Sequence, residues 1–279
     1  MKNYDHNTGI FVGHDGLQLF FQSWEVAEVE QIIIISHGLG EHSGRYHNLL
    51  KSFSGKNISF YGADHRGHGQ SAGIRGHVNS INDYLLDLNI FINLIKNRIG
   101  QPIPFILLGH SMGGLIAIKY VLDYPESLSR LILSSPGLIP AIKVPKWKEF
   151  LGNKVSKILP SLSLANNIEA DCLSHDLVEV QNYKNDPLVH NKVSARWFTE
   201  FTKASQECLA RAKEIKIPFF IFHGKNDKIV DFKGSKQFYE QVSSLDKEIY
   251  LFDNLYHETM NETEKERVFE KVVKFVLEK

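Results

Sequence analysis

Two kinds of hydrophobic pattern alternate along this chain: short continuous apolar runs, and longer stretches with an apolar side chain every three or four positions. Gln31–Ser36 carries four isoleucines in succession, and Ile58–Ala63 and residues 103–109, 128–134, 217–222 and 248–252 are runs of the same kind. Runs this short and this apolar predict strands buried on both faces of a mainly parallel sheet. Residues 10–12 and 17–24 flank Gly13-His14-Asp15-Gly16, which predicts an opening antiparallel hairpin.

Helical spacing fills the gaps between runs. Tyr84, Leu85, Leu88, Phe91, Ile92 and Ile95 share one face, with Ser80 and Asp83 placed as a capping box and Gly100-Gln101-Pro102 as the stop. Shorter helices are expected over 45–53, from Met112 through Tyr120 and over 233–242. A terminal helix is expected to be capped around Asn261 and Glu264, with Val268, Phe269, Val272, Val273 and Val276 inward. The rhythm breaks at Ser135-Pro136-Gly137, and up to about Glu214 the chain reads as helical or irregular. The expected fold is α/β: a core from 1–135 and 215–279, with a helical cap over 136–214 inserted after the sixth strand.

Bulk composition narrows the partners. Lys+Arg and Asp+Glu balance at 32 each in 279 residues, so no global field draws nucleic acid. Two cysteines, Cys172 and Cys208, exclude a disulfide framework and a multi-cysteine zinc site and fit a reducing, cytoplasmic compartment. The first residues lack the apolar core of a signal peptide, and no apolar run is long enough to cross a bilayer.

Candidate chemistry gathers at the carboxyl ends of the expected strands, where such sheets bind ligands. Gly109-His110-Ser111-Met112-Gly113 has the Gly-x-Ser-x-Gly form that sets a serine on a tight strand-to-helix turn. A serine nucleophile needs an imidazole base oriented by a carboxylate. Asp227 and His257 follow later strands and supply both. Asp231 competes with Asp227 but stands at the start of the next helix, where aspartate usually caps. His110 is expected to pack beneath the elbow. The main-chain N–H groups of Met112 and of Leu39, in His37-Gly38-Leu39-Gly40, are the expected oxyanion donors. His65 and His68 could suggest a metal, but no third ligand follows at helical spacing; Asp64, Arg66 and the neighbouring glycines read as a loop brace.

The segments from His37 to Tyr46 (HGLGEHSGRY), Asp64 to Ser71 (DHRGHGQS), Gly109 to Gly114 (GHSMGG) and Asn185 to Leu188 (NDPL) resemble the monoglyceride lipase and lysophospholipase branch of the serine α/β-hydrolases. The resemblance implies the α/β-hydrolase fold and hydrolysis of single-acyl lipid esters by Ser111, Asp227 and His257 without metal or organic cofactor. It further implies that Glu41, Arg45 and Tyr183 line the alcohol end of the pocket. A carboxylesterase of shorter esters would share the whole mechanism, and a non-catalytic ligand-binding homologue would usually have lost a triad member. In the expected cap, Trp147, Phe150, Leu151, Val155, Ile158 and Leu159 form an apolar stripe beside Lys146, Lys148, Lys154 and Lys157. Such a helix suits transient contact with an anionic membrane surface, or packing over the core.

Overall fold

The computed structural model describes residues 4–142, 145–166 and 168–278. Eight strands form one sheet: β1 (Asp5–Val12), β2 (Gln18–Glu25), β3 (Gln31–Ser36), β4 (Ile58–Ala63), β5 (Phe105–His110), β6 (Arg130–Ser134), β9 (Phe219–Gly224) and β10 (Lys247–Phe252). Their order is β1-β2-β4-β3-β5-β6-β9-β10. From β4 to β10 every pairing is parallel, and β1 and β2 join as the antiparallel hairpin. The winding direction reverses between β3 and β5. That reversal opens a crevice at their carboxyl ends, the usual place for a ligand in an open α/β sheet.

The isoleucine run is continuous because both faces of β3 are covered. Ile32 and Ile34 pack into one core with α2 (Ile81–Ile99) and α3 (Met112–Asp123), while Ile33 and Ile35 pack into the other with α1 (His47–Ser52) and α8 (Lys265–Leu277). On α2 the capping box is present: Ser80 Oγ accepts from Asn82 N, Asp83 returns a bond to Ser80 N, and Gly100 ends the helix with φ 64°. α7 (Phe232–Gln241) is capped by Asp231, whose Oδ1 accepts from Lys233 N at 3.0 Å.

The expected cap on α8 is absent. Among the described residues Glu264, at its N-cap, makes no side-chain cap bond. Asn261 lies in a preceding 3₁₀ turn, its amide donating to Glu258 and its oxygen accepting from Asn48. Tertiary partners have taken the side chain that local spacing assigned to the helix.

Between β6 and β9 the chain leaves the sheet. It forms α4 (Lys146–Ile158), α5 (Leu177–Asn185) and α6 (Ala195–Arg211). It also forms a small ladder that the sequence pattern did not indicate, β7 (Ser163–Ala165) against β8 (Lys192–Ser194). Three-residue strands are too short to carry an alternation signal. α4 seats on α6 through Ser156 and Thr199, 2.9 Å apart, and turns Leu151 and Ile158 outward. The side chains of Trp147 and Phe150 lie outside the described residues. No helix among the described residues is long and apolar enough to cross a membrane.

Candidate active site

Strain and close packing single out Ser111. It joins β5 to α3 with φ 53° and ψ −117°, a region L residues rarely occupy. Ser134 O accepts from its N–H at 3.0 Å, and its own carbonyl accepts from Gly137 N at 2.9 Å. The elbow glycines have a steric cause: a Cβ on Gly109 would run into Gly113 O and one on Gly113 into Ser36 O. Met112, the first residue of α3, has an N–H with no intrahelical partner.

His257 follows β10 and is 3% exposed. Its Nδ1 lies 2.7 Å from Asp227 Oδ2, while Asp227 Oδ1 accepts from Ile229 N at 2.7 Å and Val230 N at 3.0 Å. Burial opposes ionisation of Asp227, but the His257 charge and the surrounding donors hold its carboxyl far below the usual range. Burial likewise opposes charge on His257; Asp227 overcomes it, helped by Glu258 and Glu41, and the imidazole is raised above its ordinary 6.5. Asp231 remains in its helix cap.

Two cavities meet at Ser111. One, of about 410 Å³, is lined mainly by apolar side chains, among them Leu138, Ile139, Phe198, Phe201 and Leu209, with Leu39 and Met112 at its Ser111 end. The other holds about 20 Å³ and mixes polar side chains, Glu41, His110, Tyr183, His257 and Glu258, with Leu39, Ile168, Leu173 and Ile229. Ser111 lines both cavities.

Of the three residues expected at the alcohol end, Glu41 and Tyr183 line the small cavity. Arg45 stands behind them. Its guanidinium donates to Glu41 Oε2 at 3.0 Å and to both Glu258 oxygens at 2.6 and 2.9 Å, under the Tyr183 ring at 4.6 Å. Glu41 is fully occupied as well, accepting from Gly38 N at 2.6 Å and from Tyr46 Oη at 2.8 Å. This carboxylate therefore holds the loop that carries Leu39. Removing Arg45 would leave two buried carboxylates facing each other unpaired. Arg45→Met is expected to cost about 3–5 kcal/mol, measurable by urea unfolding.

His110 does more than pack under the elbow: its ring lies 4.9 Å from that of His257 and lines the small cavity. Burial, with the His257 charge beside it, pushes it down to about 4. His65 and His68 are buried beneath the Leu39 loop, His65 bonded to Ser36 and both rings against His37. Asp64 accepts from Ser43 and Gln70, and Arg66 pairs with Asp87 and Asp15, the brace expected of that loop.

Sequence reasoning passed over Glu258, His223 and Ser135. Ser135, with φ 43°, donates its hydroxyl to His257 O at 2.8 Å and so steadies the loop carrying the imidazole. Adjacency to His257 is the signal that could have pointed to Glu258; the 122-residue separation between Ser135 and His257 leaves none.

The family model described as serine aminopeptidase, S33 matches residues 27–264. The chain belongs to this family. It is thus a serine hydrolase on the α/β-hydrolase fold, as the motifs implied. An abhydrolase domain-containing protein of Dictyostelium discoideum is 36% identical over 268 residues, 94% of this chain, but the chain spans only 28% of that longer protein. A monoacylglycerol lipase of Mycolicibacterium smegmatis is 30% identical over 269 residues, covering 96% of this chain and 95% of its own. The crystal structure of Paleococcus ferrophilus monoacylglycerol lipase superposes with a TM-score of 0.85 at 31% identity, over 93% of this chain and 98% of its own. In this S33-family chain the motif resemblance to the monoglyceride lipase branch therefore extends over most of the sequence.

Proposed function

We propose that this S33-family hydrolase cleaves monoacylglycerols to fatty acid and glycerol through an acyl-Ser111 intermediate. The observation that carries the reading is the meeting at Ser111 of a 410 Å³ mainly apolar cavity, suited to an acyl chain, with a 20 Å³ one bordered by Glu41, Tyr183 and Glu258, whose polar groups suit a small alcohol. His257 takes the Ser111 proton as Oγ attacks the ester carbonyl, and Asp227 stabilises the imidazolium. The N–H groups of Leu39 and Met112 receive the oxyanion. His257 then protonates the departing alcohol, which Glu41 and Tyr183 border with Arg45 behind them. Water repeats the sequence to release the acid.

The base must be neutral to act, and Asp227 stabilises its charged form. A raised His257 pKa therefore moves the acid limb of kcat/KM upward, and activity is expected to fall on acidification with a midpoint above 6.5. A pH–rate profile on a neutral ester checks this.

Ile142, Leu151, Ile158, Leu159 and Leu164 stand exposed on the segment inserted between β6 and β9, which also carries the exposed Lys157. These side chains suit transient, peripheral contact with an anionic bilayer, from which a single-acyl lipid would pass into the apolar cavity. Cosedimentation with anionic but not zwitterionic vesicles is the expected result. Side-by-side turnover of monoacylglycerols, lysophosphatidylcholine and p-nitrophenyl esters of graded length tests the substrate. A preference for short soluble esters would overturn the lipid reading in favour of a general carboxylesterase, and fastest turnover of lysophosphatidylcholine would move the assignment to lysophospholipids.

A further inference from the structure

A second histidine shares the carboxylate that holds His257. His223, the penultimate residue of β9, is fully buried, and its Nε2 lies 2.8 Å from Asp227 Oδ2, the same oxygen that meets His257 Nδ1 at 2.7 Å. The other His223 ring nitrogen, Nδ1, lies 2.7 Å from Oγ of Ser235, a buried residue of α7. Gly224, next in the chain, lets this arrangement close: a Cβ there would strike the carbonyl oxygens of Leu255 and Tyr256, the residues that lead into His257.

The ionised carboxylate fixes the direction of the bonds made to it. An ionised carboxylate only accepts, so both ring nitrogens facing Oδ2 carry protons. With its Asp227-facing proton on Nε2, the His223 ring can offer a lone pair on Nδ1, and the hydroxyl that meets it, Ser235, is able to donate. Ser235 thus donates to His223, His223 donates to Asp227, and Asp227 also accepts from His257. With Ile229 N and Val230 N on Oδ1, the carboxylate is held against rotation from every side.

We propose that His223, set in one tautomer by Ser235, is a positioning residue that aims Asp227 Oδ2 at His257. The proposal rests on the assignment of Ser111, Asp227 and His257 as nucleophile, acid and base. By holding Oδ2 in place, His223 keeps the His257 proton on Nδ1 and leaves Nε2 free to take the proton of Ser111. The sequence shows the pair as a histidine four residues before the acid, a spacing that carries no meaning until the turn after β9 folds one side chain onto the other.

The experiment has two parts. Long-range ¹H–¹⁵N correlations of the intact protein are expected to show His223 as the Nε2–H tautomer and His257 as the Nδ1–H tautomer; an Nδ1–H tautomer for His223 would overturn the proposal. The rate of fluorophosphonate labelling at Ser111 and the steady-state constants are then compared across variants. His223→Leu is expected to slow labelling and lower kcat by about tenfold to a hundredfold, the range for one hydrogen bond to a charged group, with KM little changed. His223→Gln, which restores a donor, is expected to recover most of that loss. Ser235→Ala, a change small enough to leave the fold in place, is expected to lower the labelling rate in the same direction and to broaden the His223 tautomer signal. Labelling at the wild-type rate in folded His223→Leu, or in Ser235→Ala should the leucine variant not fold, would sink the proposal and leave the triad standing. No labelling of Ser111 in the unsubstituted enzyme would instead remove the triad assignment, and this proposal with it.

Discussion

Ser111→Ala is expected to lower kcat for ester hydrolysis by about a millionfold, the scale on which loss of the nucleophile removes covalent catalysis, while leaving the fold in place. Alanine can keep the main-chain bonds that hold the elbow, from Ser111 N to Ser134 O and from Gly137 N to Ser111 O. The Cβ is also unchanged, so the positive φ carries the same strain as in the parent. Turnover of a monoacylglycerol and fluorophosphonate labelling should therefore vanish together at an unchanged melting midpoint. Residual ester hydrolysis within tenfold of the parent would show that Ser111 is not the nucleophile, and with it the reading of the two cavities as acyl and alcohol sites would fall.

Asp227→Asn is expected to cost about 10⁴ in kcat, and Asp231→Asn almost nothing. Asp227 Oδ2 accepts from two imidazole N–H groups, and Oδ1 from two backbone N–H groups, so no position around this side chain suits a donor. An asparagine must turn its NH₂ toward one pair. If it faces His257, it favours the tautomer with the proton on Nε2, where the base can no longer accept from Ser111. At 231 the carboxylate caps α7 by accepting from Lys233 N, and asparagine serves that position as well as aspartate does. Steady-state kinetics of the two variants separate the acid from the cap; equal losses in both would refute the assignment.

The main strands and α2 were readable because their causes are local. A strand covered on both faces is apolar throughout, and β3 and β4 begin and end where their runs do. α2 announces both ends through Ser80, Asp83 and Gly100. The elbow was readable because Gly109 and Gly113 answer a steric demand made within five residues of chain. Asp227 and His257 could be placed because each follows a strand, and strand ends converge in this kind of sheet.

Other parts of the site depend on contacts between distant segments. Arg45 finds Glu258 across 213 positions, and Glu41, besides lining the small cavity, supports the Leu39 loop, because Gly38 N, Tyr46 and Arg45 bond to its oxygens. Asn261 gives up a helix cap to meet Asn48, 213 positions away, alongside its neighbour Glu258. The larger cavity exists only once α6 packs against α3. The sequence by itself determined the sheet, the insertion and the strand-end positions of Ser111, Asp227 and His257, since periodicity, glycine sterics and strand-end chemistry are written in neighbouring residues. The tertiary structure alone decided which buried charges pair, which side chains face Ser111, and how much room lies on either side of it, because burial, desolvation and cavity shape arise only when segments far apart in the chain pack together.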